Sequence, residues 1–313
     1  MSLKLFRLGF ARVHFGDDGL ERSTVACGAD TLFSALCIQA LRVGGEAQLE
    51  QVVAAATTGT LRLTDLLPFL GLTYFVPKPL VRVESDPGVD ISAAKKAAKR
   101  LSFVPADQLA AFRNGRADLG ALAVLQAGIG AHGLAERVAI RNGKDDAEPY
   151  RVGHFTFAAD AGLWFIAAGN EAEIGLVTDL LRGLTALGGE RSSGYGTFAL
   201  TEVPSLPTSL AEVCVSGDSV GPLMSLTTAL PEEDEMAPAL AGATYRLVRR
   251  GGFVASATYA GSPLRKRDIY KLAAGSVFTT AFDGVLADVA NGGAHPVYSY
   301  AKPIFLRLPE IAA

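Results

Sequence analysis

Cysteine is scarce in this chain. Cys27, Cys37 and Cys214 are the only three among 313 residues, and no two stand in a C-x-x-C spacing. Such a set excludes a disulfide scaffold and a structural zinc site. It fits free, buried thiols in a reducing compartment, so a cytoplasmic location is expected. The four histidines, His14, His132, His154 and His295, are far apart and form no H-x-x-x-H pair, so no metal centre is expected, and no cofactor is implied. No run of 18 apolar residues occurs. The N-terminal MSLKLFRLGF has no long apolar stretch, and neither a membrane span nor a secretory leader is expected. A basic excess is missing too: 29 Lys and Arg against 32 Asp and Glu leave a net charge of −3. Taken alone, that argues against a generic basic nucleic-acid coat.

What is present is apolar residues and glycine. Apolar residues make up 49% and charged residues 19%, enough to build a core. At about 150 residues per domain the length suggests two domains. Glycine reaches 34 of 313 without a collagen period, which reads as turns and close backbone approaches.

Residues 3–15 alternate as a first strand, with Phe6, Leu8 and Phe10 on one face. Asp30 is placed to cap a helix over Thr31–Val43, which Gly44 and Gly45 end; a second helix follows at about 46–56. Residues 72–83 contain two prolines and read as extended. The stretch from about 84 to 150 is less regular and reads as an insertion, with a basic helix candidate at 93–100. Strands resume at 151–158 and 163–168, where Trp164 and Phe165 belong in the core. An amphipathic helix over Glu171–Leu187 and a strand over Thr197–Val203 follow. Pro204 and Pro207 mark a boundary between a first domain, 1–204, and a second, 205–313. The second carries strands near 212–216, 222–230, 244–249, 252–259, 276–281 and 297–308, with an acidic loop at 232–235. The order strand, helix, strand, then strand, helix, strand in the first half predicts a ferredoxin-like βαββαβ unit with insertions, in an α+β fold.

The segment GGERSSGYG (188–196) is the most informative motif. It follows a helix and precedes a strand, whereas dinucleotide fingerprints and P-loops run from strand to helix, so an NAD or ATP site is disfavoured. Its exposed N–H groups, Arg191, Ser192, Ser193 and Tyr195 suit a phosphate backbone, especially of a single strand. The plainer alternative is a simple helix–strand connection. GDSVG (217–221) fits a hydrolase elbow around Ser219, but a strand rather than a helix follows, so a chance match is expected. Residues 246–271 hold seven cations against Asp268, a local charge of 7 − 1 = +6, with Phe253, Tyr259 and Tyr270 interleaved. Lys95, Lys96, Lys99 and Arg100 share one helical face. Either cluster is read as a solvated surface or a nucleic-acid contact. His14, at the end of the first strand, is a candidate general base or RNA contact.

Taken together, several stretches resemble a known family: HFGDDGLERSTVACGADTLFSALCIQAL near the N-terminus, GLWF before the amphipathic helix, LGGERSSGYGTF, then GSVF and HPVYSYAKPIFLRL near the C-terminus. The glycine-rich loop is similar to that of the RAMP superfamily of CRISPR-associated proteins. The combination resembles the 5′-end capping subunit of the type III-A (Csm) interference complex. The resemblance implies two ferredoxin-like (RRM-like) domains, the first with a long insertion. It implies a non-catalytic subunit that holds the 5′ handle of the CRISPR RNA and links the large polymerase-like subunit to the backbone RAMP subunit, with no membrane partner. Carried over by residue, it places Gly188, Gly189, Arg191, Ser192, Ser193, Gly194, Tyr195 and Gly196 in the handle-binding loop, with Thr31 and Ser34 beside it. The family's insertion carries an Ile-Asp-Arg-like stretch; here that region reads VAIRNGKDDAEPY, and Arg141 within it and Arg137 just before it are taken as contacts. His14, Arg249 and Arg250 complete the expected RNA-binding set. The alternative within the superfamily is a CRISPR RNA-processing endoribonuclease with His14 as base.

Overall fold

The computed structural model describes residues 1–16, 19–82, 99–139, 148–211, 214, 221–256 and 258–309. Arg141, Ser219 and most of the expected basic helix at 93–100 lie outside the described residues. The first half runs β1 (Ser2–Phe10), β2 (Arg12–Val13), α1 (Ala29–Thr57), β3 (Arg62–Leu63), β4 (Leu67–Leu70), β5 (Thr73–Pro77), β6 (Phe103–Pro105), α2 (Leu109–Arg113), α3 (Leu119–Ala127), β7 (Gly130–Ala139), β8 (Glu148–Phe157), β9 (Ala161–Gly169), α4 (Glu171–Arg182) and β10 (Phe198–Val203). The second half runs α5 (Thr208–Ala211), β11 (Leu223–Ser225), α6 (Glu233–Leu240), β12 (Leu247–Arg250), β13 (Ile269–Leu272), β14 (Val277–Phe278), β15 (Val285–Asp288), β16 (Tyr298–Ala301) and β17 (Phe305–Arg307).

The first sheet is antiparallel, in the order β10-β1-β9-β4-β5-β6, with β3 also paired to β9. With β3 and β4 counted as one strand, β1, α1, β3–β4, β9, α4 and β10 follow the βαββαβ order. Their sheet order, 4-1-3-2, is ferredoxin-like. The sequence explains the central strand. Every residue of β9 (AGLWFIAAG) is buried, as a continuous apolar run between two paired neighbours requires. Trp164 and Phe165 are fully buried, and the Phe165 ring stacks on Phe6 across the sheet at 5.1 Å. Helix α4 is shorter than the expected Glu171–Leu187. Its start is fixed by a capping box between Asn170 and Glu173, and Gly183 caps its C-terminus. The two helices expected around Gly44-Gly45 are both present within α1 and meet at a kink, with non-helical backbone at Gly45 (φ 65°, ψ −158°), a conformation that suits a residue without Cβ.

The second half repeats the strand order in reduced form. β11 pairs β17 on one side and β14 on the other. Ala229 then bridges Leu272 in the register set by Leu223 opposite Phe278, which carries the same pairing into β13. β12 pairs β13 and so lies outermost. Where a second helix would stand, the hairpin β15–β16 stands instead. The expected strand at 252–259 is reduced to one bridge, between Phe253 and Arg265. The segment 232–235, read from the sequence as an acidic loop, opens α6. Glu232 and Glu235 form its capping box, and the acids sit where the helix dipole favours negative charge.

One apolar core joins the halves. Met224, Leu226, Tyr300 and Leu306 belong to the same cluster as Phe33, Leu36 and Trp164. The Tyr300 ring lies 5.3 Å from Phe33, and its hydroxyl oxygen accepts the Leu63 N–H at 2.9 Å. The cysteines are free; Cys27 and Cys214 are buried and Cys37 is half-buried. Among the described residues no helix is long and apolar enough to cross a membrane.

Candidate nucleic-acid interface

A groove of about 1820 Å³ opens between the halves. One wall is the glycine-rich loop that follows α4. Another is the 248–256 and 265–268 part of the basic segment. The N-terminal portion of α1 runs along the floor. Of the residues expected from the sequence, His14, Thr31, Ser34, Gly188, Gly189, Arg191, Arg249 and Arg250 all line this groove. They come from segments more than 200 positions apart in the chain.

The loop is built by backbone. The Gly189 N–H donates to the His14 carbonyl (2.9 Å) and the Gly196 N–H to the Arg12 carbonyl (2.8 Å), which ties the loop to β2 and its end. At Gly188 (φ 97°) a Cβ would come within 2.9 Å of the His14 carbonyl and the Phe15 ring; at Gly196 (φ 79°) it would collide with the Leu187 carbonyl. Between them Arg191–Ser193 form a single 3-10 turn, entered through Glu190 (φ 55°). Arg191, Ser192, Ser193 and Gly194 are exposed. Arg191 lines the groove, and its guanidinium makes no hydrogen bond or ion pair with the described residues.

Tyr195 requires a correction. The sequence offered it as a stacking ring, but it is 5% exposed. The Arg137 and Arg12 guanidiniums lie 5.0 and 5.7 Å from its ring centroid, and the His154 ring 5.7 Å away. The ring therefore anchors the loop and offers no free face. Arg137, on β7, bonds Glu190 at 3.2 Å and also the Ser193 hydroxyl. Expected from the sequence as an RNA contact, its guanidinium is instead engaged with the loop itself. His14 is also buried. Its Nδ1 donates to the Gly153 carbonyl at 2.6 Å, which fixes the ring's orientation.

The opposite wall is built by charge. Arg250 grips Asp30 in a bidentate pair, Nε to Oδ2 at 2.9 Å and Nη2 to Oδ1 at 2.6 Å. The buried Lys271 Nζ reaches the same carboxylate at 3.2 Å and the Tyr300 carbonyl at 2.7 Å. Burial pushes the Asp30 carboxyl up, but the Lys271 and Arg250 charges outweigh it and hold the group well below the usual carboxylate range. Asp30 thus serves as the counter-ion of two cations; the residue before α1 is Gly28. Asp65 accepts the Ala29 N–H at 2.8 Å and the Thr228 hydroxyl at 2.6 Å, which pins the start of α1 to the second half. Ser34 donates to the Asp30 carbonyl at 2.8 Å. Arg249 faces Asp268 at 3.3 Å. The Asp30–Arg250–Lys271 cluster escaped the sequence reading. Asp30 looked like a helix cap, and only the long-range fold brings Lys271 beneath it. Among the described residues no group of three His, Cys, Asp or Glu side chains stands ready to hold a metal.

Comparison with known proteins agrees with this architecture. The CRISPR Csm4 C-terminal domain family matches residues 221–308. The CRISPR system Cms protein Csm4 of Mycobacterium tuberculosis (strain ATCC 25618 / H37Rv) is 58% identical over 313 residues, covering 100% of both chains. The chain belongs to the Csm4 family. The likeness extends to solved Csm4-containing structures. In a crystal structure of a Csm3–Csm4 subcomplex of the type III-A CRISPR-Cas interference complex, a chain superimposes with a TM-score of 0.69 at 18% identity, covering 98% of this chain and 100% of that one. In a Csm1–Csm4 cassette in complex with pppApA the values are 0.59 and 19%, over 99% and 100%. At these identities the structures show a shared fold. The α+β architecture and the family resemblance read from the sequence are both borne out.

Proposed function

We propose that this Csm4-family chain is the subunit of a type III-A effector complex that holds the 5′ handle of the CRISPR RNA without cutting it. It joins a large polymerase-like subunit to the backbone RAMP filament. The observation that carries this reading is the groove. It gathers Arg191, unpaired among the described residues, Gly188 and Gly189 of the glycine-rich loop, Thr31 and Ser34 at the start of α1, and Arg249, Arg250, Arg265 and Lys266 around one channel of about 1820 Å³. The two partners follow from relatives that were solved as Csm3–Csm4 and Csm1–Csm4 assemblies. The two sequence units, 1–204 and 205–313, supply opposite walls, so the RNA would also hold them together.

The test is direct binding of fluorescent handle RNA to the full chain, alone and in the assembled complex. Replacing Arg191 and Arg249 together with Ala is expected to weaken binding about tenfold or more, the scale of lost charge-assisted hydrogen bonds. Unchanged affinity and unchanged assembly would overturn the reading. The non-catalytic part is tested with repeat RNA. His14 is buried and pairs with no carboxylate among the described residues, so no cleavage is expected. Metal-independent cutting that disappears in His14→Ala would establish the endoribonuclease instead.

A further inference from the structure

Three aromatic residues interleave with the basic segment 246–271, and the structure separates their roles. Tyr259 is 2% exposed, and its hydroxyl oxygen accepts the Asn291 N–H at 2.6 Å. Tyr270 is exposed but does not line the groove. Phe253 is 63% exposed and does line it. Exposure alone is ordinary for a single apolar side chain; what sets Phe253 apart is that its exposed ring lies in the groove beside cations.

Phe253 is also held in place. It sits opposite Arg265 in an antiparallel bridge, flanked by hydrogen bonds from the Val254 N–H to the Leu264 carbonyl and from the Lys266 N–H to the Gly252 carbonyl, both 3.0 Å. Gly252 has φ 115°, a backbone setting that only glycine adopts readily, so the ribbon's path is fixed just before the ring. The Arg265 guanidinium carbon lies 5.5 Å from the ring centroid, within cation–π range. Arg249 and Lys266 line the same groove. An apolar partner side chain would fit a ring set among apolar neighbours. A ring set among cations fits a polyanion that also carries flat faces.

We propose that Phe253 and Arg265 form a stacking platform for one splayed nucleobase of the RNA strand in the groove. This rests on the groove being the RNA site, and it adds what that reading lacks, a face for a base after Tyr195 proves to be buried. Stacking on Phe253 accepts any base, because every base has a π-face. Arg265 strengthens the sandwich and stands ready for the phosphate of the same nucleotide.

The experiment uses the full chain with handle RNA carrying 2-aminopurine at each handle position in turn. One position is expected to be quenched. Phe253→Ala and Phe253→Leu should both relieve that quenching and weaken binding at least about fivefold, while Phe253→Tyr should retain both. The ring is exposed, so its removal leaves no internal cavity, and Phe253→Leu keeps apolar bulk while deleting the π-face. If Phe253→Ala and Phe253→Leu leave quenching and affinity unchanged while loss of Arg191 and Arg249 weakens binding, the platform is wrong and the groove reading stands. If none of these substitutions affects binding, both fall. If Phe253→Ala leaves RNA binding intact but blocks assembly with a protein subunit, the ring belongs to a protein interface and the platform is overturned.

Discussion

The two walls of the groove are built on opposite principles. The glycine-rich loop has little net charge, yet its backbone is pinned by the Gly189 and Gly196 N–H groups and braced by its own Tyr195 ring and by Arg137. The basic wall has a surplus of charge, but much of it is committed inward. Arg250 and Lys271 share Asp30, and Arg249 faces Asp268. Counting cations along the chain therefore overstates what one wall offers an RNA and understates the other. One unpaired arginine on a fixed loop presents more to a phosphate than a cation already bound to a carboxylate.

The contrast breaks most visibly at Asp30. Removing it leaves Arg250 and the fully buried Lys271 without their counter-ion, so Asp30→Ala should cost about 3–5 kcal/mol of stability in guanidinium unfolding. The pH dependence follows in sign. The folded-state pKa of Asp30 lies below its unfolded value, so this stabilisation is fully present above about pH 4 and is lost as pH falls through the depressed folded value. Wild-type stability should drop as pH falls below about 4, and Asp30→Asn should flatten that part of the curve. An equal slope in both proteins would show that the basic wall does not depend on this carboxylate.

The loop wall should respond first to shape. Gly196→Ala forces a Cβ into the Leu187 carbonyl at a positive φ, and a loss of about 3 kcal/mol is expected by thermal unfolding. Gly194→Ala is the sharper control. It has a similar φ of 81° but nothing within 4 Å of the added Cβ, so only the backbone preference of about 1–2 kcal/mol should be lost. If the two variants lose the same amount, close packing is not what fixes the loop. Arg137→Ala should fall below both, at about 1 kcal/mol, because its ion pair with Glu190 is partly exposed and the Tyr195 ring contact is of similar size.

These effects also show which parts of the molecule local sequence could reveal. The first βαββαβ unit was legible because each element carries its own signal: alternation in β1, a capping box at Asn170, an unbroken apolar run in β9. The glycine-rich loop was legible for the same reason. The second unit was less so. Its strands are two to four residues long, too short for a period to declare itself, and a hairpin replaces one helix. Tyr195 was misjudged because exposure of an aromatic depends on Arg12, Arg137 and His154, which reach it from β2, β7 and β8. The Asp30 cluster joins residues 220 and 241 positions apart, and no local rule spans that distance.

The smallest stability effect carries the most information about function. Arg191 touches no carboxylate among the described residues and sits on an exposed turn, so Arg191→Ala should leave the unfolding curve within about 0.5 kcal/mol of wild type. Its effect should appear in RNA binding instead. If the guanidinium neutralises one phosphate, the slope of log affinity against log salt should fall in magnitude by about 0.7, the value for a single-strand contact. Arg250→Ala should behave in the reverse way, costing stability by freeing Asp30 while changing the salt slope little. A slope loss of about 0.7 from Arg250→Ala, with none from Arg191→Ala, would invert the comparison. It would mean that the bound RNA draws Arg250 away from Asp30, and that the basic wall gives up its internal pairs when the strand enters.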